Sequence, residues 1–188
     1  MLLHITLIQF SRLLQKFSNE KNPATTNESG FMYISAQRLR HELRVANKMR
    51  AFAEEHPDVF DATPDELFQL GYVHDCGKGY TSVEHARVGG EILKEEGFRF
   101  WKEVSHHGNP ETSYHSPELD LLNWADMTVT ADGRDVSLQG RLEDIALRYG
   151  KDSKPWRDAV KIAERIEAWQ SKWENPVTGT GKEEEAGA

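Results

Sequence analysis

Apolar residues recur through the middle of this chain at spacings of three and four, the period of α-helices packed on one side. Leu67, Leu70, Gly71 and His74 fall at i, i+3, i+4 and i+7. His41 shares a stripe with Val45 and Met49, His85 with Val88, Gly89 and Ile92, and Asp126 with Leu119, Leu122 and Asn123. No stretch alternates apolar and polar residues convincingly, and β-branched runs are missing. The pattern predicts helices near 35–55, 64–75, 83–96, 98–107, 117–130, 138–149 and 155–173.

Their ends are marked in the sequence. Thr63-Pro64-Asp65-Glu66 combines a capping hydroxyl, a Pro in the first turn and a Glu three residues on. Ser116-Pro117 and Ser137 repeat that logic, and Gly97 and Gly150 fit as C-terminal stops. Residues 18–30 read as a flexible linker and residues 174–188, rich in Gly, Thr and Glu, as a disordered tail. The expected organisation is an N-terminal extension and linker over 1–31, one all-α bundle of six or seven helices over 32–173, and a tail over 174–188. Met32 stands at the edge of the bundle as a second candidate start, and residues 1–31 are expected to add little to the fold.

Composition narrows the function. A length of 188 residues suits a single domain with a sizeable core. The net charge is −8 with no basic stripe, which argues against long nucleic acid and leaves room for a small phosphorylated molecule. The apolar start, Met1 to Ile8, is too short to span a bilayer and is expected to dock as an amphipathic helix. Cys76 is the only cysteine, so no internal disulfide can form, and a reducing, cytoplasmic location is expected. The thiol itself is read as a small packing residue.

The chemistry gathers at the doublet His74-Asp75. On the predicted helices His41, His74, His85 and Asp126 each turn inward from a different segment. One inward His is more often a hydrogen-bonded core residue than a ligand, but an inward, unpaired Asp is costly. Taken together, His41, His74, Asp75 and Asp126 are the expected metal ligands, with further ligands from His85 and from the pair His106-His107. His4, His56 and His115 read as surface residues. Imidazole and carboxylate donors suit Fe, Mn, Mg, Co, Ni or Zn, and no thiolate site is available.

The ordered set His41, His74-Asp75, Asp126 resembles the HD-domain superfamily of metal-dependent phosphohydrolases, over about residues 35–150. Cys76-Gly77-Lys78 resembles the extension that often follows the doublet. Glu84-His85-Ala86 with Gly89-Gly90-Glu91-Ile92-Leu93, and Val104-Ser105-His106-His107, resemble a small bacterial subgroup with extra histidines that binds two metals. That subgroup includes dinucleoside polyphosphate hydrolases, cyclic-dinucleotide phosphodiesterases and a few di-iron oxygenases. Gly108-Asn109-Pro110-Glu111 stands where cyclic-di-GMP phosphodiesterases carry Gly-Tyr-Pro, and the segment after Asp126 is only loosely similar to the polyphosphate hydrolases.

The resemblance implies one or two divalent ions, with Asp75 bridging. His41, His74 and Asp126 would complete one ion, and His85 with His106 or His107 the other. It implies hydrolysis of a phosphoester or phosphoanhydride in a small nucleotide, with Asp75 and Lys78 catalytic. Lys78, one turn past the doublet, and Arg134, by its charge and planar fork, are the candidates to hold phosphate. Arg141 and Arg148 are weaker candidates by charge. Asn109 and Asn123 are expected to orient ligands. Two rival readings stand beside this one: a di-iron oxygenase on the same scaffold, and a regulatory module that binds a nucleotide without turnover. Trp156, Trp169 and Trp173 on the last predicted helix are expected to cover the bundle or a homodimer face.

Overall fold

Capping side chains open four of the helices. In a computed structural model that describes residues 35–174, Ser35 accepts from the amide of Arg38 and starts α1, Ala36–Glu55. Thr63 and Glu66 form the expected reciprocal cap, with Thr63 N donating to Glu66 Oε2 at 2.8 Å, and start α2, Pro64–Val73. A single 3-10 turn, Cys76–Gly79, follows. Then come α3, His85–Glu95, and α4, Trp101–His106. Ser116 caps α5, Pro117–Met127, and Ser137 caps α6, Leu138–Tyr149. The last helix is α7, Lys154–Glu174. Gly97 and Gly150 take φ of 75° and 84°, the left-handed region expected just past a helix end. The expected N-terminal helix, the linker over 18–30 and the tail beyond 174 lie outside the described residues.

The fold is all-α, as the spacing predicts, and among the described residues the only β pairing is an isolated bridge between Val129 and Asp135. Two helices stop two or three residues earlier than the pattern indicates, and two others one residue earlier. The second ends at Val73 rather than 75, because Asp75 opens the 3-10 turn. The fifth ends at Met127 rather than 130, because Thr128–Val136 folds back as a tight turn with Val136 N donating to Thr128 O at 3.0 Å.

The core lies between α1, α2 and α5. Val45, Met49, Leu67, Leu70, Val73, Leu121 and Leu122 are buried there, joined by Leu93 of α3, Val104 of α4 and Trp169 of α7. The crossing of α1 and α2 is close at Gly71, where a Cβ would sit 2.7 Å from Ala46 Cα. A second apolar cluster, Met127, Ile162, Ala163 and Ile166 with Leu138, Leu142 and Ile145, fastens α6 and α7 to the end of α5. Trp169 packs against Phe52 and Trp124, so it covers the bundle as expected. Among the described residues no helix is long and apolar enough to cross a membrane.

Candidate metal centre

The stripe predicted on α1 places His41 one turn before Val45, and both are fully buried. His74 follows the last residue of α2 with helical backbone angles and is also fully buried. Asp75, next in the chain, is 1 % exposed. His85 is the first residue of α3, and His107 follows α4 at its C-terminal cap. Asp126 sits in the last turn of α5.

These side chains converge. His41 Nε2 lies 3.0 Å from Asp126 Oδ1, and His74 Nε2 lies 3.9 Å from the same oxygen. His74 Nε2 is 3.6 Å from Asp75 Oδ2, while His85 and His107 bring their Nε2 atoms to 3.3 and 3.5 Å from Asp75 Oδ1. Two groups have donor atoms close enough to share an ion: His41, His74 and Asp126, and His74, Asp75 and His107.

The second nitrogen of each ring decides what the first can do. His41 Nδ1 meets the carbonyl of Thr130 at 2.9 Å, His74 Nδ1 that of Gly71 at 2.7 Å, and His107 Nδ1 that of Val104 at 2.6 Å. His85 Nδ1 meets the carbonyl of Ser82 at 3.3 Å. A carbonyl can only accept, so each Nδ1 carries the hydrogen and each Nε2 of the neutral ring presents a lone pair. The Nε2 atoms of His41, His74 and His107 and the Oδ1 of Asp75 are buried without a hydrogen-bond partner. Buried polar atoms are normally paired, so four orphaned acceptors pointing into one space fit a cation.

The electrostatics agree. Burial lowers His74 to about 3 and His85 to about 4, so both rings are neutral at pH 7. Burial works to raise both carboxyls, yet the Lys78 ammonium, foremost, holds Asp75 well below the usual range, and Asp126 also lies well below it. Asp75 and Asp126 are therefore ionised and His74 and His85 neutral, which is the state a metal needs. Burial pushes the Cys76 thiol up, in keeping with a packing role.

Local geometry builds this arrangement. In a 3-10 turn residues three apart eclipse, which brings Lys78 over Asp75 with Nζ 2.6 Å from Oδ2. The turn lies so close to α3 that a Cβ on Gly77 would stand 1.9 Å from the carbonyl oxygen of His85. The carbonyl that holds His41 belongs to the turn after α5, which Asp135 fastens to Arg44 of α1 at 2.9 Å. Asn123 Oδ1 accepts from the amide of Gly108 at 2.8 Å, so it positions the backbone beside His107 rather than a ligand ring. Asn109 accepts from Glu111 N and takes no part.

Some expected site residues lie elsewhere. His106 is not brought into the cluster: its Nδ1 pairs with Thr112 Oγ1 at 3.0 Å and its ring stacks on Tyr114. Neighbours on a helix point about 100° apart, so only one of the pair can face inward, and it is His107, at 4 % exposed. Arg134 is also a correction, because its side chain is 77 % exposed and bound to Asp132 across its own turn. Arg141 and Arg148 pair with Asp144 on α6. On α3 the buried positions are Gly89, Gly90 and Leu93, while the expected Val88 and Ile92 are half-buried.

Two neighbours of the centre are absent from the expected site. Arg38, one turn before His41, donates Nη1 to Asp75 Oδ2 at 2.8 Å. Glu42 is 3 % exposed, and burial, then Asp75, raise its carboxyl to about 8. Arg38 lies one turn from His41 on a helix, which was the one available hint; a buried Glu beside a ligand had none.

The HD domain family matches residues 38–169, which include every residue of the cluster, and the chain belongs to that family. No curated protein and no solved structure matches it.

Proposed function

We propose that this chain is an HD-type metal-dependent phosphohydrolase acting on a small phosphorylated metabolite, with a nucleotide as the expected substrate class. The observation that carries this reading is the set of four histidines whose Nδ1 atoms are tied to backbone carbonyls while their Nε2 atoms face Asp75 and Asp126. Hydrolysis, metal binding and HD membership are one consistent picture for such a donor set.

His41, His74 and Asp126 would hold one divalent ion, and His85 and His107 would hold a second, with Asp75 between them. A bound ion supplies a water of lowered pKa and neutralises phosphate charge. The residues of the chain do the rest. The backbone carbonyls fix the four rings, and burial keeps His74 and His85 neutral. Lys78, at 28 % exposed, holds an ammonium at the mouth where a phosphate oxygen would approach. The Arg38 and Lys78 cations at the rim favour an anionic substrate. The reading extends to a cytoplasmic location, in keeping with one buried thiol.

The test is a panel of nucleotides and simple phosphoesters screened for phosphate release with Mn²⁺, Mg²⁺, Fe²⁺, Co²⁺ and Ni²⁺, with Asp75→Ala as control. The expected result is metal-dependent release that the variant loses while remaining helical. Oxygen consumption without phosphate release, or nucleotide retained without product, would overturn the hydrolase reading.

A further inference from the structure

Away from the metal centre, two buried carboxyls line an open cleft of about 410 Å³. Glu103 of α4 is 5 % exposed, and Glu118, in the first turn of α5, is 8 % exposed. The Oε1 of Glu103 accepts from Tyr114 Oη and, at 2.9 Å, from Ser116 Oγ, while its Oε2 takes no hydrogen bond among the described residues. The Glu118 side chain meets its own backbone amide and pairs with no other described residue. Burial, foremost, and the charge of Glu103 raise its carboxyl from 4.5, the mark of a buried acid without a close counter-charge. Buried acids are normally paired, so these two call for a donor that the chain does not supply.

Two cations stand at the cleft, and neither is spent on these acids. Arg99 donates to Asp61 and Glu66. Lys102 Nζ lies 5.7 Å from the ring centre of Trp101 and 5.8 Å from that of Tyr114. Both rings line the cleft, so its walls already hold an ammonium at cation–π distance. We propose that the cleft binds a small primary amine as its ammonium ion, which donates to Glu118 and to the open oxygen of Glu103 while its aliphatic stem lies against Trp101 and Tyr114. The three N–H donors of an ammonium suit the carboxyl oxygens left open. A metal ion is the poorer match, because among the described residues both donor groups able to share one are at the metal centre. An anion would face two carboxyls. The volume is that of a small-molecule pocket. The site is separate from the metal centre, since Glu118 and Asp126 stand at opposite ends of α5, about 12 Å apart along the helix.

A nitrogen-15 NMR titration of the full chain with butylammonium chloride tests this, with butan-1-ol as the neutral control of the same stem. The amides of Trp101, Glu103 and Tyr114 should shift with butylammonium and stay in place with butanol, equally with and without Mg²⁺. Glu118→Gln keeps the shape and loses the charge, and should weaken butylammonium about tenfold with the helical signal unchanged. Lys102→Met removes the chain's own ammonium from the two rings and should tighten binding about threefold. Opposite signs in two residues of one cleft are what general surface charge would not produce. Butanol binding as well as butylammonium, affinity unchanged in Glu118→Gln, or affinity unchanged or lower in Lys102→Met overturns the proposal. Displacement of butylammonium by Mg²⁺ overturns it too, by moving the amine to the metal centre. A blocked lysine, Nα-acetyl-lysine methylamide, binding tenfold tighter than butylammonium overturns the small-molecule assignment in favour of a partner protein's side chain. Each of these outcomes leaves the hydrolase reading standing.

Discussion

His41 Nε2 and Asp126 Oδ1 face each other across 3.0 Å, joining α1 to the last turn of α5. Because the Nδ1 of His41 already donates to Thr130, that contact sets a lone pair against a carboxylate, and only a shared proton or a cation makes it favourable. Asp126→Ala should therefore lower the affinity for Mn²⁺ by about 100-fold, measured by calorimetry, while leaving the helical signal intact. Unchanged affinity would remove Asp126 from the ligand set.

The buried imidazoles set an acid limb of stability in the metal-free protein. His74 and His85 are depressed to about 3 and 4 against 6.5 in the open chain. Below 6.5 the unfolded chain takes up protons that the folded chain refuses, so stability present above 6.5 is lost as pH falls toward 4 and then 3. Each group contributes about 1.4 kcal/mol per pH unit in that window. Urea unfolding between pH 5 and 6.5 should show stability rising with pH, and His74→Gln should flatten the rise. A slope unchanged in that variant counts against a neutral, buried His74.

Glu42 works with the opposite sign. Its carboxyl is raised from 4.5 to about 8, so its contribution is intact below 4.5 and is lost as pH rises through 8. Between 5 and 6.5 it offsets one of the two histidines, and above 6.5 it acts without them. The metal-free protein should therefore be most stable near pH 6.5 and lose about 2 kcal/mol by pH 8. Glu42→Gln, which keeps the shape and cannot ionise, should abolish that alkaline loss in thermal melts with chelator present. An alkaline limb that persists in the variant would show that another group causes it.

Gly77 makes a geometric prediction. A Cβ there would meet the carbonyl oxygen of His85 at 1.9 Å and Gly89 N at 2.7 Å, both backbone atoms with no rotamer to yield. Gly77→Ala should cost about 3 kcal/mol of stability by forcing α3 away from the 3-10 turn. The same shift should carry the His85 ring from Asp75 and weaken binding of a second Mn²⁺ more than the first. Calorimetry of the surviving folded protein separates the two effects, and wild-type stability in this variant would contradict the packing described.

Much of the centre was legible before any fold was known. Helical spacing put His41, Val45 and Met49 on one stripe, and Leu67, Leu70, Gly71 and His74 on another, and all of them are buried. Spacing failed where two neighbours compete. Periodicity cannot choose between His106 and His107, because the phase of a six-residue helix is set by what packs against it. Charge and a planar fork made Arg134 a phosphate candidate, but they say nothing about where a turn will project a side chain.

Local rules that need only a few adjacent residues were settled by the sequence itself: the helices, their caps at Thr63, Ser116 and Ser137, and the ring and carboxylate types able to take a metal. Tertiary structure decided which backbone carbonyl holds each ring, which member of the histidine pair turns inward, and that Arg38 and Lys78 meet on one oxygen of Asp75. The reason is range. A cap is satisfied within one turn of chain, whereas the partner of His41 is a carbonyl beyond the far end of α5, and no pattern along the chain encodes that meeting until the helices pack.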